Sequence, residues 1–310
     1  MSEHHGLRRR LPVLSVALAG VLWGIIGPFV RTLSGMGLQS MQIVAFRAII
    51  TAVLLFVVLM VRDRGKLRFH LRDIWCFLGT GLCSIVFFNF CYFSAIEDVS
   101  LSVASVLLYT APCIVMLLSL LLFHERITAP KLIALAMSVI GLCLVTGLLG
   151  GGGNRATPHG ILMGLGAGLG YALYSIFCRY ALDRGYHPLT ITFYTFAFAS
   201  VGSLVLCQPA GMVHVLVSTP AVWLPGVLLG VLCTVLPFAS YTWGLARMES
   251  SRASIVASVE PVVATLLGVF AFGEAMTVGN FAGVVLVVAA IAVLQEPWKK
   301  QETPVHAGEK

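Results

Sequence analysis

Apolar residues run along this chain in long uninterrupted stretches, separated by short breaks that hold most of the charged side chains. Segments such as Ala52 to Val61 and Phe281 to Leu294 show no alternation of polar and apolar positions, so they do not fit membrane β-strands. A helix that crosses a bilayer needs about 20 residues of this kind. The pattern predicts ten spans, near residues 12–32, 41–61, 74–96, 101–123, 130–149, 160–181, 189–207, 221–245, 253–272 and 279–295. The run after Arg8, Arg9 and Arg10 continues through Pro28 without a small-residue cleavage site. It is read as the first span and not as a cleavable signal.

Composition narrows the class. The chain is 58% hydrophobic and 11% charged, with a mean hydropathy of +0.95. A globular domain carries roughly 25% charged residues, so this one cannot cover a water-facing surface. Disorder is excluded too, because it needs low hydrophobicity and high charge. The expected fold class is all-α and polytopic, and 310 residues leave no room for a separate soluble domain. A formal net charge of +7 does not point to nucleic acid, because the Lys and Arg residues sit in short loops and tails. By the predicted spans, seventeen of them fall on one side of the bilayer, against Arg31 and Arg155 on the other and Arg47 inside a span. Both termini are therefore expected on the cytoplasmic face of a cell membrane.

The halves of the chain match. Ala104 to Thr128 and Ala253 to Thr277, offset by 149, share eight of 25 residues, including Pro112/Pro261 and Glu125/Glu274. An offset of 148 pairs Gly20, Phe29, Arg31 and Gly37 with Gly168, Phe177, Arg179 and Gly185. The four glycines Gly150 to Gly153 lie between the copies. The expected organisation is a five-helix repeat over 1–149, a Gly-rich linker over 150–159, a second repeat over 160–295 and a cytoplasmic tail over 296–310. Five spans is an odd number, so the second copy enters the membrane upside down. Inverted repeats are a transporter architecture, with the substrate near the midplane between the halves.

The matched segments resemble the EamA type of the drug/metabolite transporter superfamily. The residues that carry the resemblance are Trp23-Gly24, Phe46-Arg47, and the blocks Phe123-His124-Glu125-Arg126-Ile127-Thr128 and Phe272-Gly273-Glu274-Ala275-Met276-Thr277. In each block the Glu follows a mid-helix proline by thirteen residues, Pro112 to Glu125 and Pro261 to Glu274, and His124 stands where the family pattern has Gly. The resemblance covers about 11–295. It implies ten helices, an inverted pseudo-twofold axis, and movement of small metabolites, often outward and often amino acids.

Glu260 leads the candidate chemistry as the sole acid deep in a predicted span. It lies eight residues beyond Arg252, or ~12 Å at 1.5 Å per residue. A charge there costs at least about 2.5 kcal/mol, so it should face a cavity or a partner. It either carries a proton or meets a substrate ammonium, or else bonds a neighbouring helix. Arg47 either pairs with Glu260 or a carboxylate, or snorkels to the outer interface. Asn89 and Tyr92 either bridge helices or line a path. Trp23, Tyr109, Tyr171 and Trp243, with Tyr174 and Tyr241, form either an aromatic surface for the substrate or simple packing. Pro112 and Pro261 free the carbonyls of Leu108 and Ala257 and act as hinges or as packing kinks. Gly164, Gly166, Gly168 and Gly170 do not form a nucleotide loop and are read as small-xxx-small packing pairs. Glu125 and Glu274 are read as capping or pairing groups at helix ends, with no transport role.

Other classes find little support. The eight histidines lie in loops, tails or helix ends, and neither an Asp pair nor an H-E-x-x-H helix exists, so an intramembrane enzyme is disfavoured. No P-loop is present for an ATP-driven pump. The eight cysteines form no C-x-x-C pair, so no metal or redox cofactor is expected. The expected function is a secondary transporter, most simply an exporter of amino acids or their derivatives. An organic-cation, quaternary-amine or drug transporter is the alternative. The partners are a small-molecule substrate and the lipid bilayer, with protons as a coupling ion to be tested. The oligomeric state is left open, a homodimer among the options.

Overall fold

The structure is a computed structural model and describes residues 2–148, 157–273 and 275–295. Among the described residues there is helix and turn but no strand. Eight helical stretches are long and apolar enough to cross a membrane: Arg10–Gly35, Ser40–Arg62, Leu71–Asp98, Leu101–Phe123, Pro158–Asp183, Pro188–Leu206, Pro220–Leu245 and Ser250–Ala271. Each coincides with a predicted span. The other two predictions correspond to the shorter apolar helices Ala129–Val145 and Val278–Gln295. The break after Leu206 is not a bare loop. It carries the short helix Pro209–Ser218, which packs Met212 into the core beside Leu38 and Cys207. The tail over 296–310, most of the linker and Glu274 lie outside the described residues.

Several of the spans are interrupted, and the interruptions recur in the two halves. Leu101–Leu108 ends at Tyr109, and a new helix, Ala111–Phe123, starts with Pro112 in its first turn. In the second half Ser250–Ala257 ends at Ser258, and Val259–Phe272 follows with Pro261 in its first turn. Each break lies just before a proline, where the missing N–H removes a rung of the helix ladder. The helices that follow both end on a left-handed residue, His124 at φ 55° and Gly273 at φ 69°. Glycine adopts that conformation freely, whereas His124 takes it against its own steric preference. The third helix of each half widens into a π-helical segment, over Gly79–Val86 and Val231–Val235.

Glycines set the closest approaches. A Cβ on Gly20 would stand 2.9 Å from the Ala257 carbonyl oxygen. One on Gly168 would stand 3.1 Å from the Leu108 carbonyl oxygen. These are the two carbonyls released by the prolines, and each faces a glycine from the opposite half. Gly141 and Gly283 face each other directly where Ala129–Val145 crosses Val278–Gln295, each meeting the other's carbonyl oxygen. Gly164 and Gly168 fit against Leu107, while Gly166 and Gly170 fit against Cys91 and Phe88. Packing, then, is what these glycines do.

Most of the described basic loops gather at one end of the bundle. There Arg184 pairs with Asp73 at 3.0 Å, and Tyr186 donates to the same Asp73 at 2.7 Å. Thr190 donates to the Lys66 carbonyl at 2.7 Å, and Arg179 to the carbonyls of Leu245 and Met248 at 3.2 and 3.1 Å. Arg252 bonds the Leu294 carbonyl. Under these loops lies one continuous core running from Val13 through Phe77, Phe196 and Tyr241 to Ile255 and Leu294. Toward the other end the core divides. One cluster surrounds Leu33, Phe46, Met212 and Leu229. Others surround Cys91, Leu108 and Ala167, and Ala95, Val99 and Ala104.

Candidate substrate site

The break before Pro261 changes the setting of Glu260. Instead of sitting mid-helix, it stands in the first turn of Val259–Phe272. A helix N-terminus carries partial positive charge, which favours a carboxylate there. Its side chain is half-buried. The Tyr171 hydroxyl donates to Glu260 Oε2 at 3.1 Å. Tyr109, the residue at the equivalent break in the first half, stands beside the same carboxylate, and the charge of Glu260 also reaches Tyr92 and Arg47. Two broken helices from different halves thus bring their loose ends to one point.

Arg47 is buried, with 7% of its surface exposed, so it does not snorkel. It makes no ion pair with Glu260 among the described residues; its Nη2 donates to Asn89 Oδ1 at 3.4 Å. Asn89 is anchored in turn, its Nδ2 donating to the Ile85 carbonyl at 2.7 Å. This frame fixes the guanidinium while leaving its Nε buried and without a partner.

Trp23 and Tyr171 occupy equivalent positions in the two halves and meet, with ring centroids 6.2 Å apart. Around Trp23 lie Phe238 at 5.0 Å and Tyr241 at 5.5 Å. Around Tyr171 lie Phe88 at 5.8 Å and Tyr109 at 6.5 Å. The Trp23 indole Nε1 is also buried without a partner. Buried donors without partners are uncommon in native structures, because the lost water bond is not replaced. Here two of them, Trp23 Nε1 and Arg47 Nε, belong to the cluster that holds a carboxylate. Tyr174 and Tyr241 are spoken for, bonding Thr242 at 2.9 Å and Ser175 at 2.7 Å.

Glu260, Arg47, Trp23, Asn89, Tyr92, Tyr109 and Tyr171 are therefore brought together. Trp243 is not. It lies at the basic end, its ring 3.8 Å from the Arg247 guanidinium carbon, because it sits one turn before that loop arginine. Pro112 and Pro261 flank the cluster through the two breaks. Sequence reasoning missed the burial of Lys131 and Glu125. Their positions at the ends of apolar runs resemble those of ordinary interfacial charges.

Comparison with known proteins bears on what such a site serves. The sequence profile of the EamA-like transporter family matches the chain twice, over residues 10–147 and 158–295. The chain belongs to the EamA-like transporter family. It is a multi-pass membrane transporter for a small molecule, not an enzyme. An uncharacterised transporter of Archaeoglobus fulgidus is 30% identical over 288 residues, covering 90% of this chain and 94% of its own. The threonine/homoserine exporter RhtA of Salmonella typhimurium is 27% identical over 246 residues, covering 76% and 78%. A crystal structure at 21% identity superposes with a TM-score of 0.75 over 91% of this chain and 96% of that one, in agreement with the fold.

Proposed function

We propose that this transporter exports small polar metabolites, foremost amino acids or their derivatives, by alternating access between two inverted five-helix repeats. The observation that carries the reading is the polar cluster where the two broken helices meet. It offers one carboxylate, Glu260, and two buried donors without partners, Arg47 Nε and Trp23 Nε1. A zwitterion needs that combination: an acceptor for its ammonium and donors for its carboxylate. Broken helices that point their ends at a midplane site are how inverted-repeat transporters hold charged substrates. The likeness to a threonine/homoserine exporter favours the same class.

The repeats run over 1–149 and 160–295, joined by the linker 150–159, and the shorter helices Ala129–Val145 and Val278–Gln295 complete ten crossings. The paired breaks, the paired left-handed caps and the reciprocal glycine contacts support an inverted twofold axis. The basic end faces the cytoplasm, with both termini and the 296–310 tail on that side of the cell membrane. Protons exchange at Glu260 as the coupling ion. The organic-cation reading rests on the rings around Trp23 and Tyr171, since aromatic faces attract quaternary ammonium.

Two experiments test this. Proteoliposomes loaded with radiolabelled threonine or homoserine are expected to release it faster when protons are supplied from outside, and excess unlabelled amino acid should compete. Competition by tetraalkylammonium alone would favour the cation reading, and no flux of either class would sink both. For orientation, a cysteine beside Arg155 is expected to react with impermeant reagents from outside intact cells and one beside Lys66 is not. The reverse pattern would invert the assigned topology.

A further inference from the structure

The helix Ser250–Ala257 begins without a cap of its own, since the side chain of Glu249 bonds none of its amides. The cap comes from the other half. His124 ends Ala111–Phe123 in the left-handed conformation, and Glu125 follows with its carboxylate on the start of Ser250–Ala257. Glu125 Oε1 accepts from the Ser250 amide at 2.8 Å. Its Oε2 accepts from the Ser251 amide at 3.2 Å and the Ser251 hydroxyl at 2.5 Å. Lys131 Nζ lies 3.9 Å from Glu125 Oε2 and 2.9 Å from Glu249 Oε2, and donates to the Arg126 carbonyl at 2.8 Å. Both charges of the inner pair are deeply buried, with side-chain exposures of 9% for Glu125 and 5% for Lys131. This is a charge-assisted, desolvated junction between the two repeats, and such bonds are stronger than neutral ones.

Leu101–Leu108 corresponds to Ser250–Ala257 in the other copy, and Ser100 Oγ accepts from its Val103 amide at 3.3 Å; the counterpart of Glu125, Glu274, lies outside the described residues. At the basic end Ala111–Phe123 packs on Ser250–Ala257. The corresponding pair, Leu101–Leu108 and Val259–Phe272, makes no comparable contact among the described residues. The core is likewise continuous at the basic end and divided at the other. Among the described residues, the two matching halves thus pack these helices together at the basic end and not at the other.

We infer that Glu125 is the latch of the gate at the basic end. It holds the two halves together on that face in this conformation, and its carboxylate must leave the Ser250 and Ser251 amides each time the substrate site opens there. This inference rests on the alternating-access reading above and adds a gating residue remote from the substrate site. Glu125 bonds neither Glu260 nor the rings around it, and of those rings its charge reaches Tyr241, so its main effect falls on the balance between conformations. Lys131 sets the strength of the latch, because it neutralises a carboxylate that would otherwise be buried with unbalanced charge.

The test uses full-length protein in proteoliposomes, with the native cysteines replaced and one reporter cysteine restored. Ser254→Cys lies one turn inside the gate, where the native serine is 3% exposed. Val103→Cys lies toward the opposite end. Impermeant charged thiol reagents are applied from each face to the parent protein and to Glu125→Ala, Glu125→Gln and Ser251→Ala. Loss of a charge-assisted bond should shift the closed-to-open balance by about tenfold. Labelling of Ser254→Cys from the basic face is expected to rise by that factor in Glu125→Ala and by less in the other two. Labelling of Val103→Cys from the opposite face is expected to fall. General loosening would raise both rates and overturn the assignment, as would unchanged rates in every folded variant. Should Glu125→Ala not fold, Glu125→Gln and Ser251→Ala decide the question. Because labelling needs no substrate, failure of the latch is distinguishable from failure of the amino-acid reading.

Discussion

Glu260→Gln is expected to reduce transport of a zwitterionic substrate by about ten- to a hundredfold and to abolish its dependence on a pH gradient. A hydrogen bond to a charged group contributes about 1.5–3 kcal/mol, and each 1.4 kcal/mol is a factor of ten in affinity. Gln is nearly the same size and keeps an acceptor for the Tyr171 hydroxyl, so packing survives while the charge does not. Initial-rate flux in proteoliposomes at several external pH values reads both effects. Tyr171→Phe should cost less, because it removes one hydroxyl and leaves the carboxylate. A Glu260→Gln protein with full flux and the parent pH profile would leave the carboxylate a structural group. Loss of flux with the parent pH profile would remove the proton from the mechanism and retain the ammonium contact.

Much of this was legible in the sequence because the bilayer is a simple solvent. Apolar length marks the helices, and the eight long ones fall where the hydrophobic runs predict them. Proline at a span's middle marks the breaks, and Pro112 and Pro261 each have one immediately before them. The deep carboxylate, Glu260, was visible because acids are scarce in these runs. What could not be read was which side chains share a point. Trp23 and Trp243 look alike in sequence, yet one meets Tyr171 and the other lies under Arg247. The difference is position along the helix: Trp243 stands one turn before Arg247 at the basic end, and the apolar pattern fixes the end of a span only to within a few residues. Glu125 was legible as a capping group at a helix end, and it does cap one. Its burial was obscured, because a position just past a helix end is where an exposed charge normally sits and only the opposite half covers it.

Gly20→Leu and Gly168→Leu are both expected to destabilise the protein severely, by about 3 kcal/mol or more each, at the upper end of overpacking costs. At Gly20 a Cβ alone would sit 2.5 Å from Val259 Cγ1 and 2.9 Å from the Ala257 carbonyl oxygen. At Gly168 it would sit 2.5 Å from Thr110 Oγ1 and 2.8 Å from the Leu107 carbonyl oxygen. Backbone atoms at that range cannot turn aside as a side chain can. The damage should exceed that of an ordinary bulky substitution, because each site also crowds a carbonyl that a proline left without its helical donor, Ala257 at Gly20 and Leu108 at Gly168. Thermal unfolding of detergent-purified protein measures the loss, with Gly27→Ala as the control. No atom lies within 4 Å of a Cβ there, so Gly27→Ala should be neutral or stabilising by up to about 1 kcal/mol. The two leucine variants should also resemble each other, since each jams one half against the broken helix of the other. If Gly20→Leu unfolds the protein and Gly168→Leu does not, the halves are not packed as equivalents. A rocking motion about an axis relating them would then lose its mechanical basis.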